Sequence, residues 1–139
     1  MDTKPGTDRV MMGVIPYFSI KEGAEKAIEF YKKAFGAIQH GESAKDENGN
    51  VMNATVEING GAIMLMDDWP EMGTEPARGV TMQLVIQDGD MWWKRAVEAG
   101  CTVTQEFGLA FWGDRYGSVV DPFGIAWAFD EPGPANRGT

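Results

Sequence analysis

The sequence predicts an α+β protein in which one unit of strand, helix and three strands occurs twice. Three observations predict it. The order of periodicities, alternating then helical then alternating, is read twice along 139 residues. A glycine follows each helical segment, at Gly36 and Gly100. Residues of like kind recur at near-constant offsets: Ile20 with Ile86, Gly23 with Gly89, Val56 with Val119, Gly61 with Gly124, and Asp67 with Asp130. Such repetition restricts the fold more than any single motif does.

The elements follow in order. Residues 1–9 are polar and are expected to be a flexible N-terminus. The first module spans residues 10–67. It opens with a strand over 10–20, then a helix over 23–35 whose Ala24, Ala27, Ile28, Tyr31, Ala34 and Phe35 share one face. A strand over 37–43 leads to the turn Asp46-Glu47-Asn48-Gly49-Asn50, then to a strand over 51–58. Asn59-Gly60 is a two-residue hairpin signal that returns the chain along 62–67. Residues 68–79 are a connection. The second module spans 80–130, with strands over 80–86, 101–107, 113–121 and 125–130 and a helix over 90–99. Residues 131–139 are expected to be a flexible C-terminus. The two modules together are read as one domain.

The formal net charge is -9 and the isoelectric point about 4.5. A phosphate backbone needs a basic surface, so nucleic acid is a poor partner. A cationic small molecule suits the charge better. The single cysteine, Cys101, excludes an internal disulfide and reads as a small core residue. The absence of a long apolar run or a signal-peptide core places the expected chain in the cytoplasm, with no membrane partner.

Three stretches carry a resemblance: "PYFSI" at 16–20, "AIEFYKKAFGA" at 27–37 and "FWGDRYGSVVDPFGIAWAF" at 111–129. Together they resemble the vicinal oxygen chelate superfamily of glyoxalases, extradiol dioxygenases, and fosfomycin and bleomycin resistance proteins. The nearer likeness is to its PhnB-like branch. The resemblance implies paired βαβββ modules forming a cupped mixed sheet around a cleft, and a homodimer.

Metalloenzymes of that superfamily hold a divalent ion with His or Glu from the first and last strands of each module. By the resemblance, the first-strand positions fall at Ile15 and Thr81 and the last-strand positions at Leu65 and Ala128. Three of the four have no donor atom, and a lone threonine hydroxyl is a poor ligand. PhnB-like sequences carry His where this chain has Asn53 and Ile125. The expectation is therefore no metal and no cofactor. The one histidine, His40, reads as a surface residue near a turn.

Acid–base chemistry without a metal is left to Glu57, the catalytic candidate, since a carboxylate in a dry cleft can move protons. Alternation puts Asn53, Thr55 and Glu57 on the face opposite Ala54, Val56 and Ile58. Carried round the sheet, it assigns Phe18, Ile20, Met64, Met66, Leu84, Ile86, Trp127 and Phe129 to the helix-facing side. Ile15, Tyr17, Ile63, Leu65, Thr81, Gln83, Val85, Tyr116, Ser118, Val120, Ala126 and Ala128 go to the other. Aromatics at Phe107, Phe111 and Trp112 could close over a flat or cationic ligand. The ligand-binding candidates are Tyr17, Asn53, Thr55, Glu57, Gln83, Phe111, Trp112, Tyr116 and Ser118. Arg115, one residue from Tyr116, is expected on the opposite side of its strand.

The reading is a metal-free small-molecule-binding protein that sequesters a toxic or antibiotic-like, cationic ligand. The alternatives are a metal-dependent or acid–base enzyme of glyoxalase or dioxygenase type, and a structural or partner-binding dimer with a filled cleft.

Overall fold

The computed structural model describes residues 10–136, so the expected flexible segment at 1–9 lies outside the described residues. The chain divides into two compact units. Among the described residues one comprises 10–32 with Gly36–Ala77, the other Lys33–Phe35 with 78–136. Each contains a four-stranded mixed sheet. No helix among the described residues is long and apolar enough to cross a membrane.

In the first unit the sheet order is β1 (Tyr17–Ile20), β4 (Gly61–Asp67), β3 (Val51–Ile58) and β2 (Ile38–Lys45). β1 runs parallel to β4, and the remaining pairs are antiparallel. α1 (Ala24–Phe35) buries the predicted face completely, with Ala24, Ala27, Ile28, Tyr31 and Ala34 each at 0% exposure. Gly36 ends it in the left-handed conformation at φ 65°, which glycine adopts without a Cβ penalty.

β1 is much shorter than the expected strand over 10–20. Tyr17 pairs with Met64, so the partner strand runs out at Gly61 a few residues upstream. Gly13 takes φ 66° and Val14 is exposed. Pro16 contributes only its carbonyl, which accepts from the Met64 N–H at 2.9 Å.

In the second unit the order is β5 (Thr81–Val85), β8 (Ala126–Glu131), β7 (Arg115–Val120) and β6 (Thr102–Leu109). Only the β5–β8 pair is parallel. α2 (Gly89–Ala99) crosses between β5 and β6 in sequence. Trp127 and Phe129 are 1% and 0% exposed. Phe35 packs against both, with its ring centroid 4.4 Å from Trp127, and Trp93 of α2 meets Phe129 edge-on.

The Asp121-Pro122-Phe123-Gly124 hairpin is built by Asp121. Its buried carboxylate accepts from Phe123 N, Ile125 N and Trp127 Nε1 at 2.9–3.0 Å. The turn is thus fixed from within and also orients the largest core side chain.

The hairpins of the two units differ by one residue. In the first, Ile58 pairs with Gly61 across Asn59-Gly60. In the second, Asp121 N donates to Ile125 O across three residues. The repeat offset is 63 before the turn (Val56 to Val119) and 64 after it (Gly60 to Gly124). Gly60 and Gly124 are the matching turn glycines, at φ 84° and 86°. The Gly61–Gly124 and Asp67–Asp130 matches are therefore corrected: Asp67 corresponds to Glu131.

A one-residue slip exchanges the faces of a strand. The faces of β4 are accordingly the reverse of those expected. Ile63 and Leu65 are 5% and 0% exposed and share a face with Ala54, Val56 and Ile20. Met64 and Met66 lie on the other face with Thr55 and Tyr17. Asp67, on the Leu65 side, reaches the N-terminus of α1, which places the helix over that face.

Residues 131–136, part of the segment expected to be flexible, make hydrogen bonds to the body of the second unit. Glu131 completes β8, Gly133 N donates to Asp114 Oδ1, and Asn136 Nδ2 lies within hydrogen-bond distance of Trp112 O and Asp114 Oδ1. Residues 137–139 lie outside the described residues.

Candidate functional site

Strand register assembles the candidate residues of the first unit on the sheet face away from α1. Tyr17, Met64, Thr55 and His40 are successive partners across all four strands, one rung of side chains on one side. Glu57 lies on that side, as its register partner Ile38 is two residues from His40. Asn53 continues it in the other direction.

Glu57 is not alone on this face. Its Oε1 lies 2.8 Å from His40 Nε2, and the His40 side chain is only 5% exposed. The contact is an ion pair when the imidazole is protonated and a hydrogen bond when it is neutral. His40 is therefore not the surface residue the sequence suggests. β2 carries register shifts between His40 and Ala44 and between Ala44 and Lys45. Those bulges, invisible in the sequence, bring the imidazole opposite Thr55.

Tyr17 is half exposed, and its hydroxyl donates to Met52 O at 2.7 Å, which fixes the ring over the sheet. Asn53 and Thr55 are half-buried on the same face. Ile15 precedes β1 and lies outside the paired region.

In the second unit the face opposite α2 carries the rung Gln83, Ala128, Ser118. Next to it lies the rung Val85, Asp130, Tyr116. Ser118 Oγ and Thr104 Oγ1 are 2.8 Å apart. Trp112 stands edge-on to Tyr116 with centroids 5.5 Å apart, and Phe111 beside it is 97% exposed. Gln83, Ser118, Tyr116 and Trp112 thus lie on or beside one face, and the exposed Phe111 sets its ring edge-on to Trp112 with centroids 5.0 Å apart.

Phe107 belongs elsewhere. It stacks on Trp93 at 5.6 Å, under the Arg115 guanidinium. Arg115 occupies the opposite side of its strand, as predicted, and bonds Asp90 at 2.6 Å and Glu131 at 3.3 Å.

Asp130 is a face residue absent from the expected set, although the alternation through Ala126 and Ala128 leads directly to it. Burial raises its pKa to about 6, and the neighbouring Asp114 adds to the shift. The Gly133 N–H and the Asn136 amide hold Asp114 below the usual carboxylate range. A proton on Asp130 relieves the repulsion between the two carboxylates.

With the corrected hairpin offset, the last-strand position of the first unit is Met64, the counterpart of Ala128, and not Leu65. The first- and last-strand positions are then Ile15, Met64, Thr81 and Ala128, and these residues do not fit a hard divalent ion. Among the described residues no group of three or more His, Cys, Asp or Glu is arranged to hold a metal.

Comparison with known proteins agrees with this architecture. The family model of the Glyoxalase/Bleomycin resistance protein/Dioxygenase superfamily matches residues 19–129. An uncharacterised protein of Mycobacterium tuberculosis is 38% identical over 136 residues, covering 90% of this chain and 79% of that protein. The crystal structure of a Pseudomonas aeruginosa protein superposes with TM-score 0.70 at 21% identity, over 88% of this chain and 98% of the other. The PhnB protein of Bacillus cereus gives 0.64 at 22% identity, over 86% and 99%. Two four-stranded mixed sheets, each with its helix, define an α+β protein of the vicinal oxygen chelate type. The chain belongs to the glyoxalase/bleomycin resistance/dioxygenase superfamily.

Proposed function

We propose that this protein binds a small molecule without a metal and sequesters it, and that the ligand is an aromatic or otherwise flat cation. One observation supports the reading above the rest. The sheet face of the first unit sets the Glu57–His40 pair beside Tyr17, Thr55 and Met64, while the superfamily's ligand positions hold no donor set for a hard cation. An acidic group on a mixed apolar and hydroxyl surface is the usual make-up of a site that orients a cationic ligand. Association as a homodimer is part of this proposal.

The test combines metal analysis with a binding titration. Mass-spectrometric metal content is expected well below one ion per chain, with a melt unmoved by manganese or EDTA. Ethidium, as a flat aromatic cation, is expected to quench tryptophan fluorescence saturably. Glu57→Gln should weaken it about tenfold, equivalent to about 1.4 kcal/mol. A flat ethidium titration overturns the cation assignment. One stoichiometric metal with a stabilised melt overturns the metal-free reading.

The Glu57–His40 contact also favours a second reading, an acid–base enzyme in which the pair moves a proton. Turnover of a carbon-acid or thiol-adduct substrate that vanishes in Glu57→Gln, while the melt is kept, would establish it.

A further inference from the structure

We propose that a recess between the end of α1 and the outer side of α2 binds a phosphate-bearing small molecule. The recess has a volume of about 550 Å³ and is lined by Lys33, Met91, Lys94, Arg95, Glu98 and Ala99. Three cations face one carboxylate there, in a chain of net charge -9. The local sign is thus the reverse of the global one, and a focused positive recess selects an anion.

Arg95 is the centre of the site. Its Nε donates to Ala34 O at 3.1 Å, and its guanidinium lies 4.5 Å from the Trp92 ring centroid. Those two contacts fix the plane of the fork but use only one of five N–H donors. Among the described residues neither Nη nitrogen has a hydrogen-bond partner. A planar, pre-oriented fork with free donors matches a phosphate or carboxylate in two-point fashion. Burial also lowers the pKa of Arg95, the sign of a partly desolvated charge.

The two lysines complete the charge. Lys33 has no ion-pair partner among the described residues. Lys94 lies 3.9 Å from Glu98, a loose contact between two exposed side chains that an incoming anion can outcompete. Met91 and Ala99 give the recess an apolar edge. That edge favours an organic phosphate over the free ion, since apolar area removed from water adds affinity. Capping α1 alone would account for the Nε contact but not for the two lysines beside a free fork.

The test is a titration of the intact protein with inorganic phosphate, phenyl phosphate and malonate, followed by the side-chain 15Nε resonance of Arg95. Phenyl phosphate is expected to shift it saturably and to bind at least about threefold tighter than inorganic phosphate. Lys33→Gln, which leaves the α1 cap intact, should weaken phenyl phosphate about fivefold. Raising the salt concentration should weaken it further. Arg95→Lys removes the fork and the reporter while keeping the charge, and isothermal titration calorimetry should show phenyl phosphate binding lost in it and retained in the parent. No saturable shift up to about 10 mM phenyl phosphate, or unchanged affinity in Lys33→Gln, overturns the proposal. Malonate bound as tightly as phenyl phosphate overturns its phosphate class. None of these readouts involves Glu57, so the outcome stands apart from that of the ethidium experiment.

Discussion

Asp67 Oδ1 accepts the backbone N–H of Ala24 at 2.7 Å, so the last strand of the first unit caps the helix that begins forty-three residues earlier. Glu131 repeats the arrangement in the second unit, accepting from Gly89 N at 3.2 Å. Neither Gly23 nor Asp88, the residues preceding the two helices, supplies a side-chain cap. A carboxylate at a helix N-terminus satisfies an orphan donor and complements the helix dipole. Asp67 Oδ2 also takes the Val51 N–H at 2.9 Å, tying a helix and two strands to one side chain. Asp67→Ala is expected to cost about 2 kcal/mol. Urea denaturation should show a lower midpoint at unchanged slope, and a midpoint equal to the parent's would refute the cap.

Gly117 is required by packing. A Cβ built on it would lie 2.7 Å from Phe107 Cα and 2.9 Å from Phe107 N, and backbone atoms of a paired strand cannot withdraw. Gly117→Ala should therefore destabilise by about 1–3 kcal/mol. The melting temperature measures this, with Gly108→Ala as the comparison, since nothing lies near that position.

Asp130 gives the stability a pH dependence of unusual sign. Its pKa is raised from 3.8 to about 6, so the folded state holds this proton more tightly than the unfolded chain does. The contribution is complete below about pH 4 and is lost as pH rises through about 6. Partial exposure reduces it to about 1 kcal/mol. The lowered carboxyls Asp46, Asp90 and Asp114 act in the opposite direction. The difference between parent and Asp130→Asn isolates the group. The variant should gain relative stability between pH 4 and 7, and parallel stability curves would count against the shared proton.

Cys101 should be chemically quiet. Burial, with the Asp121 charge adding to it, pushes its thiol up to about 12, and the residue is 7% exposed. At pH 8 the thiolate fraction is on the order of one in ten thousand. Alkylation by iodoacetamide is expected only on the unfolding timescale. Modification within minutes on the native protein would contradict this.

The sequence by itself determined the repeat, both helices with their glycine stops, and the alternation in β3, β5, β7 and β8. These rest on local periodicity, and a local rule can be read without a partner. It also placed Asn53, Thr55 and Glu57 together, and Gln83, Tyr116 and Ser118 together, because each trio alternates along its own strand or is continued by a neighbour of unbroken register. Tertiary structure decided what depends on pairing across strands. One extra residue in the second hairpin exchanged Leu65 with Met64, and bulges in β2 carried His40 onto Glu57. Pairing also cut β1 back to Tyr17, a few residues short of where its partner ends, and brought Asp67 to Ala24. Register is a sum over turns and bulges, and an error of one residue in either moves every later side chain to the other face.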